Sequence, residues 1–205
     1  MSGIVTSNIL DSTGLIKTSS VAVGLTFISK QTASSSATLS FTSGIDSTYK
    51  EYIFYFKDIH PQTDNVGFMF NLSIDGGSNY NVTKTSTNFR AFHAEGGDGQ
   101  DLRLEPTTDL AQSTAFQDLT REDSGNDNDE CIAGYLHLFN PSSTTFVKNF
   151  IANTNSTHEA NYSHQNFVAG YGNTTSPIDS VQFKMSSGNI DAGDICLYGL
   201  TKWQE

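Results

Sequence analysis

The side chains best suited to metal or acid–base chemistry in this sequence are its histidines. There are five of them: His60, His93, His137, His158 and His164. No His-Glu-x-x-His or His-x-His pattern occurs, so the spacings that commonly bring two imidazoles to one zinc ion are missing. His158 and His164 can share one face of a strand, because side chains alternate along strands, but the sequence implies no third ligand. The favoured interpretation places both in a loop or at the rim of the fold.

A second candidate site is the acidic run formed by Asp123, Asp127, Asp129 and Glu130. Carboxylate oxygens are the ligands that Ca²⁺ prefers, but this run lacks the EF-hand order of alternate acids, a glycine and a later glutamate. A solvated acidic loop is the favoured interpretation, and a calcium site is the alternative. No other metal site and no cofactor is predicted.

Covalent catalysis is not indicated by the residue patterns. Serine is abundant, but no Gly-x-Ser-x-Gly nucleophile elbow occurs. A pair of carboxylates of the glycosidase kind is left open, because such partners can come from distant segments. We therefore predict a protein that is not an enzyme.

The two cysteines, Cys131 and Cys196, lie in apolar segments that resemble strands. Two buried free thiols acting as small apolar side chains are favoured. A disulfide is the alternative, and it requires that their strands be neighbours.

The segments that must position these groups have the pattern of β-strands. Residues 51–59 carry large apolar side chains on both faces, which predicts a central strand. Residues 66–74 alternate with period two and precede Asp75-Gly76-Gly77-Ser78, which predicts a hairpin whose next strand begins near Tyr80. Residues 131–150 predict a second hairpin with its turn at Pro141. Eight to ten strands without βαβ alternation indicate an all-β, antiparallel, two-sheet β-sandwich.

The chain divides into an arm and one domain. Residues 1–20 are small and polar and predict an extended N-terminal arm, and residues 21–205 predict a single domain with an acidic loop insert around 94–130. The insert contains the only helix considered, over residues 110–119, with Thr108 as its N-cap. A frayed terminus is the alternative to an arm that docks on a neighbouring subunit. The subunit-contact candidates are apolar residues near the two ends: Ile4, Val5, Ile9, Leu10, Leu15, Ile16 and Trp203.

The charge of the chain argues against two classes of partner. The formal net charge is −11, with 11 Lys and Arg against 22 Asp and Glu, and no run of basic residues occurs. Nucleic acids and anionic membranes are therefore not expected partners. No apolar run approaches the length of a membrane span, and the first residues lack the pattern of a secretory signal.

Four stretches resemble a family of structural proteins of tailed phages, especially marine and cyanobacterial phages. They are TASSSATLSFTSGIDSTYKEYIFYFKDIHPQTDN at 32–65, NLSIDGGSNYN at 71–81, GYLHLFNPSSTTFVKNF at 134–150 and FKMSSGNIDAGDICLYGL at 183–200. The resemblance implies a β-sandwich of jelly-roll type and membership of a virion, and it transfers no catalytic residue. The insert around 94–130 is the part that resembles the family least.

These observations predict a non-enzymatic virion structural protein, made in the host cytoplasm. A head decoration (cement) protein is expected, because a compact domain with an extended arm can attach to the capsid shell. The alternatives are a tail or tail-fibre component involved in host attachment, and a carbohydrate-binding jelly-roll module that binds a host surface glycan. Other virion proteins and a homotrimer are the expected partners.

Overall fold

The computed structural model describes residues 24–200, which fold entirely into β-strands and loops. The arm and the subunit-contact candidates Ile4, Val5, Ile9, Leu10, Leu15, Ile16 and Trp203 lie outside the described residues. The strands are β1 Leu25–Thr32, β2 Leu39–Phe41, β3 Glu51–Pro61, β4 Phe68–Ser73, β5 Lys84–Ala94, β6 Gln100–Leu104, β7 Gln117–Asp118, β8 Ile132–Phe139, β9 Lys148–His158, β10 Tyr162–Gly172, β11 Ser180–Met185 and β12 Ile190–Leu200.

The strands form two antiparallel sheets, so the predicted β-sandwich is confirmed. The larger sheet has eight strands in the order β1-β12-β3-β8-β9-β10-β5-β6, and the smaller has four in the order β2-β11-β4-β7. The strand numbers are thus eight and four, whereas two similar four-stranded sheets are the usual jelly-roll arrangement. The predicted central strand, β3, lies between β12 and β8.

The apolar core fills the space between the smaller sheet and the strands β12, β3 and β8 of the larger one. Period-two alternation turns Tyr52, Phe54 and Phe56 of β3 inward, and all three are buried. Phe54 and Phe56 each meet Phe183 of β11 edge to face, with ring centroids 5.3 Å apart. These contacts hold the two sheets together.

One of the two predicted hairpins is confirmed and the other is wrong. β8 and β9 pair across the turn at Pro141, as predicted. The turn at Asp75–Ser78 does form, with positive φ at Gly76 and Gly77. However, β4 pairs with β11 and β7, while β5 pairs with β10 and β6 in the other sheet. The turn therefore carries the chain from one sheet to the other, because its residues satisfy the turn geometry without fixing the partner of the next strand.

The predicted helix over residues 110–119 is absent. Thr108, its expected N-cap, is buried and donates its hydroxyl to the Glu105 carbonyl at 2.9 Å. The Asp109 carboxylate accepts the backbone N–H of Asn88 in β5 at 2.6 Å, and the Gln117 side chain donates to the Thr108 carbonyl at 3.0 Å. The polar groups of the segment thus bind the sheet and one another, which replaces the hydrogen bonds of a helix.

The interior is polar at the end of the larger sheet formed by β9, β10 and β5. Inward-facing side chains there are buried and hydrophilic: Lys84, Asn88, Arg90, Thr154, Ser156, His164 and Asn166. Lys84 donates to the Asn71 side chain and, at 2.9 Å, to the Val82 carbonyl, and burial lowers its pKa to about 7. The residues 105–125 cover this end, so the insert closes the sandwich where apolar side chains are few.

Candidate functional site

All three arginines of this acidic chain converge on one pocket at the polar end of the sandwich. They are Arg90 on β5, Arg103 on β6 and Arg121 in the loop after β7. The pocket has a volume of about 290 Å³. Its walls are formed by Arg90, Phe92, Arg103, Arg121, His158, Ala160, Tyr162 and His164. We call it the arginine pocket.

Strand pairing places two of the arginines side by side. Arg90 lies directly opposite Arg103 in the β5–β6 ladder, so both side chains leave the same face. Alternation along β6 then turns Leu102 and Leu104 to the opposite face, where both are highly exposed. Two like charges directly opposite each other destabilise a ladder unless carboxylates compensate them.

Two buried carboxylates supply this compensation. Glu105 forms an ion pair with Nε of Arg90, and its oxygens lie 3.7 Å from Nε of Arg103 and 3.7 Å from Nε of Arg121. Asp123 accepts a hydrogen bond from Arg121 at 3.1 Å and lies 3.8 Å from Arg90. Glu105 and Asp123 therefore fix the guanidinium groups in place before any ligand arrives.

The ionised form of Asp123 is stabilised despite its burial. Burial alone raises the pKa of this carboxyl, but the hydrogen bond from His164 and the charges of His164, His158 and Arg90 together hold it below its usual range. Burial has the largest effect on His158 and lowers its pKa, which favours the neutral form of this imidazole. Asp123 is thus an anion within a cluster of cationic and neutral side chains.

Aromatic rings form part of the wall of the pocket. The guanidinium carbons of Arg90 and Arg103 each lie 4.9 Å from the centre of the Phe92 ring, within the range of cation–π contact. Tyr162 packs against Phe92 and against His158, with ring centroids 5.7 Å and 5.2 Å apart. The pocket thus offers cationic donors beside an aromatic surface.

Asp123, His158 and His164 could also be considered as ligands of a metal ion in the arginine pocket. One ligand atom from each of the three lies within 4.8 Å of the others, the only such group among residues 24–200. However, Nη1 of Arg90 lies 3.0 Å from Nε2 and 3.1 Å from Nδ1 of His164, and Arg121 already binds the Asp123 carboxylate. A cation would have to enter beside two guanidinium groups, so the arrangement suits an anion better than a metal ion.

The structure separates Asp123 from the other carboxylates of the acidic run. Asp123 is directed into the arginine pocket, while the Glu130 carboxylate accepts the backbone N–H of Asp127 at 2.8 Å. Asp127 and Asp129 are exposed. Arg90, Arg121 and His164 hold Asp123 in the arginine pocket, while the charges of Asp127 and Asp129 act on Glu130, so the four residues do not form one site.

His158 lies at the end of β9, near the rim, whereas His164 is buried inside the sandwich, so the loop or rim position expected for both does not describe His164. A third partner of the two histidines was also missed. His158 ends β9 and His164 lies on β10, with ring centroids 4.8 Å apart. Asp123 reaches them from the insert, a segment distant in sequence. One signal was available: every arginine of the chain falls between residues 90 and 121, close to or within the insert.

A smaller acidic pocket shares Arg121 with the arginine pocket. Its volume is about 240 Å³, and Asp118 and Glu122 line it. Burial and the charge of Glu122 raise the pKa of Asp118 to about 7, and its Oδ1 has no hydrogen-bond partner among the described residues. Asp118 can therefore hold a proton near neutral pH.

The cysteines are free, so the disulfide alternative is wrong. Both thiols are partly buried. Cys196 of β12 lies opposite Tyr55 of β3, while Cys131 precedes β8. Burial raises the pKa of the Cys131 thiol, with a smaller contribution from the charge of Asp58.

Comparison with known proteins gives no assignment of this site. No family model, curated protein or solved structure matches the chain. Residues 24–200 also contain no helix long and apolar enough to cross a membrane.

Proposed function

We propose that this chain is a non-enzymatic structural protein of a tailed-phage virion that associates with copies of itself through the outer face of its eight-stranded sheet. The proposal combines the resemblance in sequence with one observation, an aromatic band on that face. We expect a head decoration protein of jelly-roll type, and we keep a tail component as the alternative.

The band consists of two adjacent rows of outward-facing side chains that cross the sheet. Residues opposite each other in an antiparallel ladder share a face, so the pairing defines each row. From β6 to β1 the first row is Leu104, Phe89, Phe167, Asn153, Tyr135, Tyr55, Cys196 and Lys30. From β5 to β1 the second is Thr87, Ala169, Ile151, His137, Ile53, Tyr198 and Phe27.

The rings of the band contact one another and remain accessible. Phe89 and Phe167 stack with centroids 4.8 Å apart, and Tyr55 and Tyr198 meet edge to face at 5.7 Å. Among the exposed large apolar residues of the described range, 24–200, those on this face outnumber the others by seven to two. The seven are Leu25, Phe27, Tyr55, Phe89, Leu102, Leu104 and Ile151, and the two are Ile74 and Phe146. An apolar concentration of this kind marks an interaction surface.

The distribution of charge favours a second copy as the occupant of this face. Each chain carries a net charge of −11, so two copies repel each other wherever their charged surfaces meet. The band reduces this cost, because its one ammonium group, Lys30 at the sheet edge, is paired with Asp194 at 3.1 Å, and the Glu51 carboxylate beside the band is hydrogen-bonded to His137 at 3.0 Å. Copies can therefore meet at the band while their acidic loops face solvent, and we expect closed assembly as a homotrimer.

The first test introduces a charge into the band. Tyr135→Glu places a carboxylate at its centre, and we expect the variant to remain monomeric at concentrations where the wild type associates, as measured by sedimentation velocity. The matched control is Phe146→Glu, at an exposed apolar residue outside the band. Equal association of wild type and Tyr135→Glu would show that this face is not the interface.

The second test concerns the particle. Quantitative mass spectrometry of purified virions should detect the chain at a fixed number of copies. Hundreds of copies would support the head and a few to a few tens the tail, since head shells are built from many repeats. Absence of the chain from purified particles would refute the virion assignment itself.

A further inference from the structure

We propose that the arginine pocket is a binding site for a glycan that carries carboxylate groups, with the sugar carboxylate bound by Arg103 and Arg121. The proposal does not depend on self-association, because the pocket lies on the side of β5 and β6 opposite to the aromatic band.

The first step of the argument is the local excess of positive charge. Three guanidinium groups face two buried carboxylates, Glu105 and Asp123, in a chain that is otherwise strongly acidic. A third carboxylate, Asp101, lies 3.6 Å from Nε of Arg103, but it is half-exposed, so solvent screens its charge more than those of the buried groups. The pocket therefore attracts an anion to one point on an acidic surface.

The second step is the supply of unused hydrogen-bond donors. Arg103 makes no hydrogen bond among the described residues, and its nearest carboxylate oxygens are 3.6 Å and 3.7 Å from Nε. Arg121 makes one hydrogen bond, from Nη1 to Asp123. Both side chains are nearly half exposed and line the pocket, whereas Arg90 is almost completely buried. Arg103 and Arg121 thus present planar guanidinium forks, which match the two oxygens of a carboxylate.

The third step is the fixed position of these donors. Arg90 forms ion pairs with Glu105 and Asp123 and also contacts His164, so the floor of the pocket is held by buried charges. Arg103 is held against Phe92 by cation–π contact. Binding of a ligand therefore requires little further loss of side-chain conformational entropy in the protein. Arg90 is a positioning residue, and Arg103 and Arg121 are the contacts to the ligand.

The fourth step distinguishes a sugar from an acidic peptide. A peptide bound in extended form needs a groove or a free sheet edge to pair with its backbone. β6 does have a free edge, but the guanidinium donors leave the inner face of β5 and β6, so a peptide paired with that edge would lie beside the strand and not over them. The arginine pocket has a volume of about 290 Å³ and the ring of Tyr162 in its wall. That volume lies at the lower end of small-ligand sites. An aromatic wall beside carboxylate-binding donors fits one charged sugar residue better than a peptide chain.

The test measures binding of an oligomer of glucuronic acid to the purified full chain by isothermal titration calorimetry. We expect saturable binding, with no binding of the matched glucose oligomer. Arg103→Ala and Arg121→Ala should each weaken binding about tenfold or more, as expected for the loss of a charged hydrogen bond. Lys57→Ala is the matched control, because Lys57 is an exposed cation outside the pocket and should leave affinity unchanged.

Two further arms keep the result interpretable. Arg103→Lys retains the positive charge but lacks the planar guanidinium group, so weaker binding by this variant supports recognition of the carboxylate by geometry. Circular dichroism shows whether each variant is folded. A glutamate-rich peptide and sodium sulfate are titrated in parallel. No binding of the glucuronic acid oligomer, or equal binding of the glucose oligomer, the peptide or sulfate, would overturn the proposal.

Discussion

Two aspartates close together in the sequence show how environment decides the state of a residue. Asp118 is partly buried next to Glu122 and forms no ion pair among the described residues, and its pKa rises to about 7. Asp123 is buried too, but His164, His158 and Arg90 bring its pKa below the usual range. An aspartate therefore retains a proton near neutral pH at position 118, whereas the aspartate at position 123 is ionised.

The raised pKa of Asp118 makes stability depend on pH in a defined direction. The folded state holds this proton with a pKa of about 7, against an ordinary value of 3.8. The group thus contributes stability that is fully present below pH 3.8 and is lost as pH rises towards 7. Asp118→Asn removes this loss, so the variant should gain on the order of 2 kcal/mol relative to wild type between about pH 4 and about pH 8.

Urea denaturation at both pH values measures this difference. The matched control is Asp98→Asn, at an exposed carboxylate, for which we expect no change in the difference with pH. A stability difference between wild type and Asp118→Asn that is the same at both pH values would show that Asp118 does not titrate in this range.

The sequence shows which residues are able to do chemistry but not which of them meet. The spacing of His158 and His164 indicates that the two are neighbours, but it does not reveal that a turn separates them onto β9 and β10 and that His164 is buried. Asp123 was assigned to an acidic run because its neighbours in sequence are acidic, yet its partners Arg90 and His164 are distant in the chain. Contacts of this kind depend on how the insert folds over the sheet, which no local pattern encodes.

Elements with a strong period were predictable, whereas their pairing was less so. β3 was identified as central because both of its faces are apolar, and the β8–β9 hairpin was identified because Pro141 restricts its turn. The link from β4 to β5 was misassigned, since two glycines allow a tight turn whatever the next strand pairs with. Residues 110–119 were misassigned because their apolar spacing resembled a helix while their polar groups bind β5.

Gly134 provides a test of the packing between β8 and β9. Its φ is +146°, and a Cβ at this position would lie 2.2 Å from the Asn153 carbonyl oxygen and 2.7 Å from Cα of Thr154. Both neighbours are backbone atoms of β9, which cannot move without breaking the ladder. Gly134→Ala should therefore destabilise the fold by on the order of 3 kcal/mol in thermal or urea unfolding.

The control for this substitution is Gly99→Ala between β5 and β6. The nearest atom to a Cβ there is 3.4 Å away in the Tyr162 ring, an ordinary contact. We expect a loss of less than about 1 kcal/mol. Similar losses for the two variants would mean that the close approach at Gly134 is not rigid.

At the scale of the whole molecule, the predicted arm can be tested separately from the described fold. Within the described residues the first strand begins at Leu25, and the core residues identified there all follow it. Deleting residues 2–18 should leave the unfolding transition unchanged within about 1 kcal/mol, but it removes the apolar contacts proposed to bind a neighbouring subunit. We expect fewer copies of the truncated protein per particle, measured by mass spectrometry. Equal incorporation would exclude a role of the arm in attachment.

The unequal filling of the sandwich interior has a consequence for how the molecule opens. The free energy of a local unfolding event follows the apolar surface that the event exposes. β3, β8 and β12 bury aromatic and aliphatic side chains, while β5 and β10 bury mainly amides, hydroxyls and charges, and both polar atoms of the Asn166 amide lack a partner among residues 24–200. Partial opening therefore begins at the β5–β6–β10 end, and amide hydrogens exchange there first. The arginine pocket lies at this end, so a ligand that binds only the folded state there should slow the exchange of these amide hydrogens.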